Sequence, residues 1–265
     1  MPEAMKILSW NCQELGNPWT VRNLRKIVKE QGPLICFLME TKLDREGINF
    51  WCKDLPYNNK FVVKKPGLGG GFAMMWKEDV SLDVFKYSNN QIAAMVTESN
   101  GFRWVLIGFY GWPETQDRYK SWALLTHICS LVDGAWICIS DFNEMFSLTE
   151  KLSCRPTPPR QLDAFCEPLE LCNLVDLGFI GYKFTWNNRR LGAANTKERL
   201  DRAVANEVWR SKFPGTIVTH IISYASDHLP LILQNHVPPK SIYKGRRGFK
   251  FEEAWLLWVD CEKVI

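Results

Sequence analysis

The sequence predicts a layered α/β fold on three observations: eight short apolar runs bounded by turn residues, helical patterns between some of them, and no internal repeat. Many of the runs are apolar on both faces, as central strands covered by further layers must be.

Taken in order, MKILSW (5–10) is the first predicted strand. Val21, Leu24, Ile27 and Val28 then fall at helix spacing before Gly32, a residue suited to ending a helix. PLICFLM (33–39), FVVKK (61–65), GFAMMW (71–76) and RWVLIGFYG (103–111) read as further strands. Trp122, Leu125, Ile128, Leu131 and Val132 predict a second helix before Gly134, and AWICIS (135–140) a strand. A third helix is expected over 161–172, with Leu162, Phe165, Leu169 and Cys172 on one stripe. Pro168 lies inside it, and an internal proline costs about 3 kcal/mol, so a kink or a fresh start is expected there. TIVTHII (216–222) and LPLILQ (229–234) complete the strands. The Gly-rich run GLGGGF (67–72) fits neither G-x-G-x-x-G nor a P-loop and reads as a tight turn. These elements make one domain over 5–237; residues 238–265, with Pro238, Pro239 and a basic cluster at Lys244, Arg246 and Arg247, read as a linker and the start of a helical element.

Composition excludes several classes. A net charge of +4 from 33 basic and 29 acidic residues does not announce an anionic partner through bulk charge, so any such partner must be met locally. Nine irregularly placed cysteines without a CxxC pair argue against zinc, a redox motif or a disulfide framework, and favour an intracellular protein with reduced thiols. No secretory signal is recognised, and no run of about 18 apolar residues offers a membrane span.

The apolar strands share a design: each releases a polar or ionisable group at its C-terminal end. ILSWN ends in Asn11, ICFLMET in Glu40, LIGFYG in Tyr110, and AWICISDFNE in Asp141, Asn143 and Glu144. In an extended segment Asp141 and Asn143 share one face while Phe142 takes the other, leaving the polar pair for a cleft. Later, RLDRAV offers Asp201, and SDHLP offers Asp227 and His228 entering a strand. Groups from separate strands can converge at one sheet edge, where ligands commonly bind. Glu40, Asp141, Asp201 and Asp227 are hard oxygen donors that suit magnesium, whereas the four histidines have no zinc-like spacing. For the ring of His228, Asp201 on a separate strand is the better partner, because the adjacent Asp227 points to the opposite face. Lys64, Lys65, Arg189 and Arg190 could meet phosphates and Trp186 or Trp112 could stack on a base, but solvated loop charge accounts for each cation equally well.

WN (10–11), ETK (40–42), GFYG (108–111), SDFNE (140–144), RLDRAV (199–204) and SDH (226–228) occur in an order that resembles the endonuclease/exonuclease/phosphatase family. MKILSWNC, LGNPWTVRNL, GFYGWPET, GYKFTWNNRR and LDRAVAN look, more narrowly, like the endonuclease domain of plant LINE-type retrotransposons. The resemblance implies a four-layer α/β sandwich of the deoxyribonuclease-like kind, two packed mixed sheets flanked by helices. It implies magnesium-dependent nicking of double-stranded DNA, with manganese as a substitute ion, nuclear residence following from the substrate, and a reverse transcriptase domain accompanying full-length relatives. On the same basis Glu40, with Asn11 and Asp227, would hold the metal. Asp141 would activate water or assist the leaving oxygen, Asn143 and Tyr110 would donate to the scissile phosphate, and His228 with Asp201 would serve charge and proton transfer. Thr185, Trp186, Arg189 and Ser226 would contact substrate.

Three departures from the family pattern stand out. Ser140 replaces the glycine of GDFN, where backbone is expected to pack close to the site; Gln13 and Glu14 replace Arg-Gly; and Pro168 interrupts a helical stripe. They keep two alternatives open: a catalytically impaired retroelement remnant, and a phosphatase on the same fold.

Overall fold

The computed structural model describes residues 5–64, 70–155 and 157–235. Eight strands come first: β1 (Lys6–Asn11), β2 (Ile35–Met39), β3 (Asn59–Val63), β4 (Phe72–Trp76), β5 (Ser81–Ser88), β6 (Gln91–Thr97), β7 (Arg103–Tyr110) and β8 (Trp136–Asp141). Short strands β9 (Lys151–Leu152), β10 (Val175–Asp176), β11 (Trp186–Asn187) and β12 (Lys197–Glu198) precede β13 (Asp201–Ala205), β14 (Ile217–His220) and β15 (Leu231–Gln234). The helices are α1 (Pro18–Gln31), α2 (Arg45–Trp51), α3 (Arg118–Cys129), α4 (Pro159–Leu171) and α5 (Glu207–Lys212).

Two six-stranded sheets form, in the orders β14-β15-β1-β2-β4-β3 and β10-β13-β8-β7-β6-β5, with a small β11-β12-β9 sheet besides. Both large sheets are mixed, with one parallel pair each, β1 with β2 and β7 with β8. Alternation along the strands explains the layering. Ile7, Phe37 and Met74 of the first sheet meet Leu106, Ile137 and Ile139 of the second in a shared core. On the outer face of the first sheet, Leu8, Trp10, Cys36 and Leu38 pack on Val21, Leu24, Ile27 and Val28 of α1. The second sheet turns Val105, Ile107, Phe109 and Cys138 outward onto Leu125 and Ile128 of α3 and Phe165 and Leu169 of α4. Three cores between four layers give the sandwich that the resemblance implied.

Local chemistry sets the helix ends. Asn17 caps α1 by accepting from the Trp19 N–H, Pro18 occupies the first turn, and Gly32 closes the helix in the left-handed region at φ 63°.

Some expectations change. β5 and β6 were not anticipated, because Asp83, Lys86 and the small residues of QIAAMVT lack the continuous apolar character that marked the other strands. The second helix stops at Cys129, short of Leu131 and Val132. The third spans Pro159–Leu171 and runs through Pro168 without a break. Burial of Phe165 and Leu169 on either side of the proline offsets its cost. The glycine-rich turn lies largely outside the described residues, as does the whole of 238–265 with its basic cluster.

Behind the end of β8, Arg202 is fully buried and ties several segments together. Its guanidinium bonds Glu150 and Asp176, bonds the Glu144 and Arg199 carbonyls, and lies 4.3 Å over the Phe146 ring. Arg199 joins the same two carboxylates. Burial works against charge on Asp176 and Glu150, but Arg202 and Arg199 more than offset it and hold both below the usual carboxylate range.

The sheets meet closely at one point, where a Cβ on Gly108 of β7 would lie 2.6 Å from the ring of Phe37 on β2. Gly108→Ala should therefore lower stability by about 1–3 kcal/mol through overpacking. Adding Phe37→Leu should recover part of that loss, and denaturant midpoints of the two single variants and the double variant check the coupling.

Candidate active site

Six polar side chains converge where the two large sheets end, three from each. Asn11 ends β1, Glu40 follows β2 and His228 precedes β15 in the first sheet; Tyr110 ends β7, Asp141 ends β8 and Asp201 begins β13 in the second. Every contact between these triplets crosses the sandwich. Asn11 Nδ2 donates to Asp141 Oδ2 at 3.0 Å, the Tyr110 hydroxyl donates to Glu40 Oε1 at 2.7 Å, and His228 Nδ1 lies 2.8 Å from Asp201 Oδ2. Asn11 Nδ2 also reaches Glu40 Oε1 at 3.0 Å, which ties the two halves of the first triplet.

The local chain is shaped for this convergence. Asn143 takes φ 54° just past the strand, and its N–H returns to Asp141 Oδ1, fixing that carboxylate. Its Nδ2 donates to the Gly111 carbonyl, and the same side chain hydrogen-bonds the Tyr110 hydroxyl. A Cβ on Gly111 would collide with the Phe142 carbonyl, so the second glycine of GFYG is a requirement of close packing. Phe142 points into the outer core against Phe109 and Phe165. Glu144, the last residue of SDFNE, is an anchor: it accepts from Arg118 at 2.7 Å, from Gln161 and from the Met145 N–H, and is 1% exposed.

Electrostatics follow from burial. Asp141 and Asp201 are register partners on neighbouring strands, and His228 lies between them with Nε2 3.6 Å from Asp141 Oδ2. Burial opposes charge on His228, but Asp201 and Asp141 outweigh it and push the imidazole up to about 10. Burial pushes Asp141 up to about 7, the nearby His228 moderating the rise. Burial, with Asp141 and Glu40 close by, drives Tyr110 well above the usual phenol range, so its proton stays on as a donor.

The other predicted residues fall behind or beside this centre. Thr185 is 1% exposed, and its Oγ1 accepts from the N–H groups of Leu200 and Asp201. It therefore braces Asp201 from within. Ser226 is likewise buried and donates to the Asn11 carbonyl, joining two site loops. Asp227 Oδ2 accepts from Trp186 Nε1 at 3.0 Å and from Gln13 Nε2 at 3.3 Å. Arg189 is exposed and donates to the Tyr224 carbonyl. Ser140 points to the outer face and donates to the Phe109 carbonyl, so the added hydroxyl is absorbed within the sheet, away from Asp141.

A hollow of about 460 Å³ opens over the centre, walled by Glu40, Tyr110, Arg118, Asn143, Asp227 and His228 among others. Arg118 went unread in the sequence, since its contact with Glu144 spans 26 positions and leaves no local pattern. Glu198 also lines the hollow, paired with Lys151 at 2.9 Å.

The donor chemistry fits a hard divalent cation at Glu40. Both hydrogen bonds to that carboxylate end on Oε1, leaving Oε2 for an ion, and Asp227 is on the same wall. Asp141, Asp201 and His228 also bring ligand atoms within 4.8 Å of one another, but an imidazole holding its proton between two carboxylates acts as their counter-ion.

A sequence model of the Endonuclease/Exonuclease/phosphatase family matches residues 8–228. Among solved structures, the endonuclease domain of TRAS1, a telomere-specific non-LTR retrotransposon, is 15% identical, with 87% of this chain and 97% of that one covered at a TM-score of 0.62. An AP endonuclease from Archaeoglobus fulgidus is 18% identical, covering 86% and 98% at 0.65. The 3′ phosphatase NExo from Neisseria, bound to a product DNA hairpin, is 19% identical, covering 87% and 98% at 0.61. Comparison with curated proteins finds no match. At these identities the structures establish the fold, while the sequence match spans all six strand-end motifs from Asn11 to His228: the chain belongs to the endonuclease/exonuclease/phosphatase family.

Proposed function

We propose that the protein is a magnesium-dependent phosphodiesterase that nicks double-stranded DNA, derived from a retroelement and acting in the nucleus where that substrate lies. The observation that carries this reading is the set of cross-sheet contacts, Asn11 to Asp141, Tyr110 to Glu40 and His228 to Asp201, around one hollow. Family membership supplies the coarser statement, hydrolysis of phosphate esters.

When bound at Glu40, a divalent ion would neutralise charge building on the phosphate. The chain's own groups account for the rest. Asp141, with its pKa near neutrality, accepts a proton from the attacking water. Asn11 and the Asn143 N–H hold that carboxylate in place. The Tyr110 hydroxyl and the Asn143 amide line the hollow where the phosphate would be met, and the imidazolium of His228, oriented by Asp201, faces its developing charge.

An impaired remnant is the second reading. Gln13, left-handed at φ 59° and bonded to Asp227, favours it, because a neutral amide stands where the family carries a cation. A phosphatase would differ in taking a terminal phosphomonoester, and 3′-phosphorylated oligonucleotides would distinguish it.

Purified protein should convert supercoiled plasmid to open circles with magnesium or manganese and not with chelator. Glu40→Gln and His228→Ala should each slow conversion by about a hundredfold or more. Glu40→Gln is the cleaner control, since His228→Ala leaves Asp201 buried without its counter-ion. Absence of nicking from folded protein would sustain the remnant reading, and Gln13→Arg would then test that residue's part.

The nicking rate should depend on pH in a defined sense. Asp141 works as the carboxylate, so the rate rises as pH climbs through about 7; His228 works as the cation, so it falls as pH passes about 10. A rate flat between pH 5 and 8 would remove Asp141 from the role of base.

A further inference from the structure

The second large sheet ends in β5, which pairs with β6 and has no strand on its other edge among the described residues. The open edge is eight residues long, SLDVFKYS, and the N–H and C=O groups it turns away from β6 are a template for a further strand. Apolar side chains stand along it: Phe85 is 51% and Tyr87 60% exposed. The Phe61 ring of β3 meets Tyr87 edge-on at 4.9 Å between centroids and holds it at the rim of the sandwich.

Edges of this kind are commonly kept from pairing by a bulge or by charged side chains, and β5 has both. Their arrangement nonetheless suits one partner. The bulge falls at Phe85, where the register shifts between Val84 and Lys86. Asp83 and Lys86 are at odd spacing, so an unbroken strand would set them on opposite faces. The extra residue returns them to one face: Asp83 is opposite Met95 and Lys86 opposite Ala93, both of which turn towards the outer core. Leu82 and Tyr87, opposite Val96 and Ile92, share the inner face by the same shift. Neither Asp83 nor Lys86 has an ion-pair partner among the described residues; Lys86 Nζ lies 3.2 Å from His127 Nε2 of α3, which keeps it along the outer face.

We propose that β5 is the interface of a homodimer, in which two copies of the chain pair edge to edge about a two-fold axis through the bulge. In that antiparallel register Asp83 falls opposite Lys86 of the second copy and Leu82 opposite its Tyr87, each pair on one face and each formed twice. Charge and apolar character are thus both self-complementary, and the charges that would repel an unmatched strand attract this one. The catalytic hollows stay clear. β6 is antiparallel to both β5 and β7, so β5 ends at the active end of the sandwich, where Asn90 just beyond it donates to the Tyr110 carbonyl. An antiparallel partner then points its own active end the opposite way, and the dimer carries two open hollows at opposite ends. The inference is independent of the nuclease reading.

An interface of one strand from each copy is small, so sedimentation equilibrium of the full chain should show monomer passing to dimer between about 1 and 200 µM. Asp83→Lys sets like charges opposite one another twice and should weaken dimerisation by about tenfold or more. Lys86→Asp should do the same with the opposite sign. Mixed in equal amounts, the two variants should form a heterodimer as tight as the wild-type dimer, a rescue that neither misfolding nor a general effect of net charge would give. A wild-type chain that stays monomeric across this range overturns the inference and leaves the edge to a strand of another protein. A dimer that Asp83→Lys leaves intact, or a mixture of the two variants that stays monomeric, overturns it equally.

Discussion

Everything at the active end of this molecule depends on buried polar contacts that cross from one sheet to the other. Asn11 with Asp141, Tyr110 with Glu40 and His228 with Asp201 each need both sheets in place, and none can form within either sheet alone. Burying carboxylates is expensive, and the cost is recovered only when geometry and counter-charge are both right. The spacing of the sandwich is therefore a catalytic quantity. Gly108 against Phe37 sets it in the core, while Gly111 against the Phe142 carbonyl sets how closely the ends of β7 and β8 approach within the second sheet, which explains two glycines in GFYG by packing.

The same requirement appears in the backbone. Gln13, Glu40 and Asn143 follow three separate strands, and each takes a left-handed φ that non-glycine residues seldom adopt. Such conformations cost on the order of 1 kcal/mol or more and persist where surrounding structure over-determines them. Here the surroundings do so: Gln13 N is held by Asn11 Oδ1, Asn143 N by Asp141 Oδ1, and the N–H groups after Glu40 pair with Gly70 and Gly71. The strands end abruptly because each chain must turn at once to present a side chain.

How much of this the sequence disclosed depends on the range of the interaction. Strand-end groups were legible because a strand's last residues belong to the same apolar run, and alternation assigned Phe142 to the core and Asp141 to the cleft. Asp201 could be chosen over Asp227 as the partner of His228 because adjacent side chains diverge. The support shell was not legible. Thr185 shows nothing locally of its bond to the Asp201 N–H; Arg118 and Glu144 show nothing locally of their ion pair; and β5 alternates too weakly to stand out as a strand. Ser140 read as an intrusion only while its direction was unknown, and one residue of register turns it to the harmless face.

Register also explains why His228 must be a cation. The pairing of β8 with β13 sets Asp141 opposite Asp201, and like charges directly opposite on neighbouring strands repel. Two buried carboxylates there would drive one another to protonate unless a positive group separated them. His228 enters from the other sheet and approaches both, close to Asp201 at 2.8 Å and looser on Asp141 at 3.6 Å. That asymmetry divides the labour. The tightly held Asp201 orients the ring, while burial pushes Asp141, with the looser contact, up to about 7 and leaves it the freedom to take a proton. A strand register thus separates two chemically identical side chains into an orienting group and a base.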